Sequence, residues 1–290
     1  MTDRRGAVGL LYVAPALLFV AAFVIYPVFD LLRMSLTSAS LLGGGEFVGF
    51  KNYLKAASDG VFQRALWFTV KYTVLITPIL IIGGFALALL AAEKSPLARL
   101  TRAIVFMPVI IGLGTSSLIW VWLFDEQVGL VNKLLVDAGL IHQPIVWFAD
   151  GTLGLWAVVV SIVWKVIGYG MLLMLAGVQS LGSDIFEAAT IDGAGYWQRV
   201  WHLTLPLSSR TIALTTLVSA IGSMLAFDQF YIMTGGAPRG DTFTAVYWIY
   251  QNSFIYFKLG YGAALSVILM LIIFLASAIQ IYMVRRASRA

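Results

Sequence analysis

The polar side chains most able to do chemistry gather in one interval, Ser183 to Pro206, reading SDIFEAATIDGAGYWQRVWHLTLP. Apolar runs flank it on both sides, Leu153–Val178 before and Thr211–Met233 after, so the interval must lie in water between them. Asp184, followed three residues later by Glu187, reads as a helix N-cap with its capping-box partner. Gly193 reads as the left-handed stop. Tyr196 to His202 reads as a second short helix that closes before Pro206, because the residue preceding a proline disfavours the helical region. The expectation is a helix, a glycine turn and another helix, held at the membrane surface. As local structure alone, Glu187 is a capping carboxylate worth about 1 kcal/mol, and Trp197 and Trp201 are interfacial aromatics.

The rest of the chain offers little for catalysis. Cys 0 excludes disulfides, thiolate chemistry and cysteine metal sites, and His142 and His202 are the only imidazoles. There is no HExxH, no GxSxG elbow and no Gly-Lys dipeptide, so the phosphate-cradling P-loop is absent. No catalytic residue, no metal site and no cofactor bound by this chain are expected. Inside the apolar runs stand Lys71, Lys165 and Asp228. Lys71 lies near a run's end and can snorkel to the interface, and Asp228 lies within about two turns of one. Lys165 is deeper and is a functional candidate by its cost alone.

The elements around the interval follow from composition. Of 290 residues, 60% are hydrophobic and 11% charged, against about 45–50% and about 25% in a soluble domain. Such a chain belongs in a membrane. A span needs about 20 apolar residues to cross roughly 30 Å of hydrocarbon. Six runs qualify, at approximately 8–32, 66–92, 103–124, 153–178, 211–233 and 260–284. The first is too long for a signal peptide's apolar region and continues through Pro15 and Pro27; Pro78 falls inside the second run as an expected kink, and the third contains Pro108. The fold expected is all-α and polytopic, a single membrane domain spanning 1–290 with no soluble domain attached. Six spans put both termini and the 183–206 loop on one side. That side carries Arg4, Arg5, Lys94, Arg99, Arg102, Arg199, Arg210, Arg285, Arg286 and Arg289 in short loops. The other carries Arg33, Lys51, Lys55, Arg64, Lys133, Arg239 and Lys258 in longer ones. The excess of cations places the termini and the loop in the cytoplasm, at an inner membrane.

Glu187-Ala188-Ala189, then Gly193, then Leu203 and, after Thr204 and Leu205, Pro206 has the spacing of the EAA loop of ABC-importer permeases. The family usually has Ile where Leu203 stands. EAATIDGAG with TLPL resembles the carbohydrate-uptake, maltose-type branch, and FVGFKNY (Phe47–Tyr53) and MTGGAP (Met233–Pro238) resemble the first of its two paired permeases. The resemblance runs from Tyr26-Pro27 to Gly260-Tyr261-Gly262. It implies a type I ABC-importer transmembrane domain. It also implies that Glu187, Ala188, Ala189, Asp192, Gly193, Leu203 and Pro206 form the coupling loop seated on an ATPase. The implied partners are a second homologous permease, two ATPase subunits that bind ATP and Mg, an extracytoplasmic solute-binding protein and membrane lipid, with no nucleic acid.

In that family the sugar rests between the span before the loop and the span after it. Carried onto GYG (Gly168–Gly170) and the run ending MTGGAP, this selects Trp164, Ile167, Gly168 and Met171 on one span. On the other it selects Ser219, Gly222, Ser223 and Ala226. Each set repeats at helical spacing and so shares one side of its helix. An indole for stacking, two hydroxyls and small residues suit a sugar, although small residues at this spacing also make ordinary helix contacts in lipid. Lys165, one position beside the first face, is a candidate anion contact, for a sulfonate or phosphate on the cargo. The expected function is uptake of a sugar or sugar derivative, with another polar solute such as a glycerol-phosphate compound as the alternative. A secondary transporter is more distant, since the chain lacks the internal repeat that class implies.

Overall fold

The computed structural model describes residues 12–93, 95–237 and 240–287. Residues 8–11 of the first expected span, and Arg4, Arg5, Lys94, Pro238, Arg239 and Arg289, lie outside the described residues. Among the described residues the chain is helical, with one isolated antiparallel bridge between Thr37 and Phe47. Two compact units emerge, one of residues up to Phe62 with Trp248–Ile272, the other of Gln63–Tyr247 with the residues from Ile273 on.

In the first unit, helix α1 (Tyr12–Ser35) is apolar and none of its most apolar stretch is covered by the described chain. Lipid tails solvate such a surface as well as protein does. The segment after it folds back as a hairpin, with Ser38 N–H on the Glu46 carbonyl and Val48 N–H on that of Leu36. Asn52, in helix α2 (Lys51–Ser58), donates to the carbonyls of Ser35 and Thr37, both at 2.9 Å. Asp59 then ties three segments. One carboxylate oxygen caps helix α3 (Gly60–Ala92) through the N–H groups of Val61 and Phe62. The other accepts from Trp248 Nε1 at 3.0 Å and Tyr261 Oη at 2.7 Å. Burial pushes this carboxyl upward, but the bonds from Tyr261, Trp248, Phe62 and Val61 outweigh it and hold its pKa below the ordinary value.

The second unit is built on α7 (Gly151–Gln179), more of which is buried than of any other apolar helix described. On one side Val158, Val159 and Ile162 pack with Tyr72, Ile76 and Leu80 of α3 and with Phe230 and Met233. Tyr72 and Phe68 both meet the Phe230 ring edge-on, at 5.0 and 5.2 Å. Further along, Met171, Met174 and Leu175 pack on Ala88 and Ala91 of α3. Pro78 is accommodated inside α3 without ending it.

Four helices, α1, α3, α7 and α12 (Leu259–Ala287), are long and apolar enough to cross a membrane, or five if a bent pair counts as one span. That pair falls on the third expected span. The run at 103–124 is not one helix but α4 (Pro96–Ile110) and α5 (Leu113–Leu123), meeting at 100°. Pro108 withholds an N–H in the last turn of α4, and Gly112 is extended and starts the next helix. The fifth expected span, 211–233, is also divided. Helix α10 (Ser209–Met224) stops at Leu225, and a π turn at Phe230–Thr234 follows after a gap at Ala226 and Phe227. The carbonyl of Ala226 freed there accepts from Thr244 Oγ1 at 2.7 Å.

Asp59→Ala should lower the melting temperature of the purified protein, since a lost N-cap alone costs about 1 kcal/mol. Because folding lowers this carboxyl's pKa, its stabilisation is complete above the ordinary carboxylate value and is lost as pH falls through the lowered one. The difference in melting temperature between wild type and Asp59→Ala should therefore shrink on acidification. A difference constant from neutral to acid pH would show that the charge is not involved.

Candidate functional site

The 183–206 interval folds as two helices around a glycine, with ends that differ from the expectation. Helix α8 (Ser183–Ile191) has Gly182 as N-cap and no side-chain cap bond. Asp184 is therefore not the N-cap and forms no capping box with Glu187. It sits in the first turn, where its charge meets the helix dipole. The reason is local: Gly182, extended at φ −63° and ψ 141°, already turns the chain into the helix one residue sooner.

The stop at Gly193 is as expected. Its φ is +79°, its N–H bonds the Thr190 carbonyl at 3.1 Å, and Ala194 N–H reaches back to the Ala189 carbonyl at 2.9 Å. That pair of bonds is a complete Schellman closure. After it Gly195 caps α9 (Tyr196–Arg199), and Gln198 Oε1 accepts from Gly195 N–H at 2.8 Å. Sequence reasoning missed Gln198, although its place three residues after a cap position was a usable signal. Arg199 Nη1 donates to Thr190 Oγ1 at 3.0 Å and pins the two helices together.

The second piece does not close before Pro206. It continues through a π turn at Val200–Thr204 into Leu205–Leu207, with Ser208 leading directly into α10. In the π turn Leu205 N–H reaches the Val200 carbonyl, and Pro206 follows at the start of a new turn, where its missing N–H costs little. Leu203 lies half-buried in that turn, while Glu187, Ala188, Asp192, Gly193 and Pro206 are exposed and Ala189 is half-buried. Asp184, Glu187, Ala188 and Ile191 line one exposed face of α8, and Ile191 is 86% exposed.

The two expected cargo faces fare differently. On α7, Met171 is fully buried in the core. Gly168 lies against the backbone of α4, where a Cβ would collide with the Val105 carbonyl. The end of Ile167 fills the space beside Gly83, and only Trp164 is substantially exposed, with its ring edge-on to Trp120 at 5.7 Å. This face is chiefly a packing surface within the chain. On α10, Gly222 has nothing within 4 Å of a Cβ position, and Ser219 is half-exposed. Ser223 is buried and turns its hydroxyl onto the Ser219 and Ala220 carbonyls, and Ala226 is buried at the helix break. Lys165 is buried, and its ammonium donates to the Val109 carbonyl at 2.8 Å. It completes the last turn of α4 at the bend. Asp228 is half-buried in the segment after the break in α10. Among the described residues no group of His, Cys, Asp or Glu could hold a metal.

An exposed, Schellman-closed helix pair is thus carried between α7 and α10. The chain belongs to the family of binding-protein-dependent transport system inner membrane components, whose model matches residues 56–289. It is 34% identical over 285 residues to the sulfoquinovosyl glycerol transport system permease protein SmoG of Agrobacterium fabrum, covering 98% of this chain and 91% of that one. The lactose transport system permease protein LacF of Rhizobium radiobacter is also 34% identical, over 96% of this chain and 94% of that one. A chain of a bacterial alginate ABC transporter, solved with its alginate pentasaccharide-bound periplasmic protein, superposes with a TM-score of 0.87 at 19% identity. The match covers 99% of this chain and 97% of that one, and at this identity it speaks for the fold. The protein is thus a membrane permease subunit of an ABC importer, of the type I fold, in a system that works with a binding protein.

Two glycines separate packing from pathway. Gly168→Ala should destabilise the purified protein by about 1–3 kcal/mol, the usual cost of overpacking, read as a lowered melting temperature. Gly222→Trp should fold normally and reduce uptake in the intact transporter. Normal uptake by Gly222→Trp would remove the α10 face from the cargo path.

Proposed function

We propose that this chain is one of two homologous permeases of an importer for a sugar or sugar derivative. The solute comes from an extracytoplasmic binding protein, and two cytoplasmic ATPase subunits drive transport. The observation that carries the reading is the exposed face of α8, closed at Gly193, between two helices that enter the membrane. Glu187, Ala188 and Asp192 on this surface meet the ATPase groove, and Ile191 supplies an apolar anchor. Ala189, Gly193, Leu203 and Pro206 shape the loop. ATP and Mg are bound by the partners and not by this chain. Both termini and the loop face the cytoplasm, so ATP-driven closure of the ATPase pair reaches α8 directly. The Arg199–Thr190 bond and the helical path through Val200–Leu207 then carry the displacement into α10. The pore turns outward to receive solute, and hydrolysis resets it.

Sugar cargo is supported by the sulfoquinovosyl glycerol and lactose relatives. Within this chain Trp164, Ser219 and Gly222 are the side of the path offered to it, completed by the second permease. Of the other residues of that set, Ile167, Gly168, Met171, Ser223 and Ala226 back this surface. The charge of Lys165 is assigned first to the α4–α5 bend, because one donor is spent on Val109 and the side chain is buried. A contact to an anionic cargo is secondary. The solute retained by the co-expressed binding protein on purification identifies the cargo class, and a non-carbohydrate there overturns the sugar reading.

Purified alone, the chain should show no ATP hydrolysis, while the assembled transporter should hydrolyse ATP. Turnover by the lone chain, after contaminants are removed, would defeat this division of labour. Gly193→Val places a β-branched residue at φ +79°, a conformation that strongly disfavours it. The variant should insert in the membrane but lose uptake, or lose assembly with the ATPase. Wild-type uptake by that variant would show that the loop does not couple.

A further inference from the structure

A cavity of about 1040 Å³ opens behind the loop, at the level where α3 and α7 end. Its walls are of two kinds. Leu89, Val178, Phe186 and Val200 form an apolar side, and Arg99, Arg102 and Arg199 bring guanidinium groups to the other. Arg102 is engaged with the last carbonyls of α3, donating through Nε to Ala91 at 2.8 Å and through Nη2 to Glu93 at 3.3 Å. Arg199 spends one donor on Thr190. Arg99 is exposed and has no hydrogen bond or ion pair to its side chain among the described residues. The one carboxylate in the lining, Glu93, is exposed and forms no ion pair with these arginines among the described residues. Positive charge is therefore left in excess over an apolar wall, where two apolar helices end.

We propose that this cavity binds the phosphate headgroup of an anionic phospholipid, with the start of its acyl chains against the apolar side. Basic pockets between membrane helices take such headgroups. The arginine fork matches a phosphate better than a point charge would. A free phosphate shares the headgroup chemistry, but has no use for the Leu89, Val178 and Phe186 wall. Exposed Tyr196, in the lining, and Trp197 beside it set this edge at the interface. Since Arg199 and Phe186 belong to the loop helices and Arg99 to α4, a bound lipid bridges the loop to the membrane domain. That the lipid comes from the cytoplasmic leaflet rests on the coupling reading, whereas binding itself does not.

The test uses the assembled transporter in detergent, titrated with phosphatidylglycerol or phosphatidylcholine, with bound lipid counted by native mass spectrometry. Wild type should prefer phosphatidylglycerol. Each arginine near a headgroup contributes about a fivefold gain in affinity. Arg99→Gln should therefore lower phosphatidylglycerol affinity about fivefold, and Arg99→Gln with Arg199→Gln about 30-fold. Phosphatidylcholine binding should be unaffected, and Lys133→Gln, in another loop, should change nothing. Arg102 is left intact because it caps α3; if the double variant fails to assemble, Arg99→Gln alone decides. Equal binding of both lipids, or an unchanged affinity in Arg99→Gln, overturns the proposal. Displacement of phosphatidylglycerol by millimolar inorganic phosphate also overturns it, in favour of a soluble anion. No ATP or cargo is present, so failure here and failure of the transport reading are separate results.

Discussion

A peptide carbonyl in hydrocarbon must find a donor, and the architecture of the second unit depends on how that demand is met. An unbroken helix satisfies it internally, which is why α3 and α7 can be long. Wherever the helix is interrupted, a donor arrives from another segment. At the α4–α5 bend Lys165 donates to the Val109 carbonyl. At the end of α3 the Arg102 guanidinium takes the Ala91 carbonyl. At the break after α10 Thr244 takes the Ala226 carbonyl, and Thr69 Oγ1 accepts the amide of Ala245 at 2.8 Å. The partners lie 11, 18, 56 and 176 residues from their targets, so each break fixes a contact between separate helices or segments as well as a bend. Breaking a span is thereby one way to fix its neighbours.

The same rule explains what was readable in the sequence. Helices that satisfy themselves announce their length in composition, and α3, α7 and α12 were visible to within a few residues at most ends. The loop was visible because its closure is local: Gly193, Ala189 and Ala194 lie within six residues of each other, and the Schellman bonds need nothing from outside. The broken spans were not visible. Apolar residues run through Ile110–Leu113 with only Gly112 between them, and Asp228 and Gln229, just past the second break, do not say that the helix stops at Leu225. Pro108 helps to end α4, but a proline inside an apolar run also fits a continuous helix, as Pro78 does in α3. Nothing near Ala226 in sequence says that Thr244 will reach it. Non-local donors carry this information, and a single sequence does not pair them.

Lys165 shows how cost and purpose separate. A buried ammonium in a span is expensive, and that expense alone marks it as a functional candidate. Its observed partner is a backbone carbonyl at the end of a helix, where the dipole and the unpaired oxygen both favour a cation. That interaction offsets much of the burial cost and needs no cargo to do so. The charge is functional in setting the bend between α4 and α5. By doing so it sets where Trp120 meets Trp164 across the helices. The rings and the bend form one assembly, and the exposed indole is its outward part.

The two glycine-bearing faces make the final contrast, because their glycines look alike in the sequence. Gly168 and Gly222 each sit in an apolar helix, in a stripe at the same spacing. One is pressed against the Val105 backbone and the other faces open space. Small residues admit close approach, but the sequence does not say what approaches. For Gly168 it is α4 of the same chain, drawn in by the contacts along α7 and held by Lys165 three residues earlier, a little under one turn away. For Gly222 no described atom lies within 4 Å of a Cβ position, so the face is left open by this chain. A glycine in an apolar helix thus marks a close approach whose partner is undefined until the chain's own helices have claimed theirs, and Gly222 is left unclaimed by the described residues.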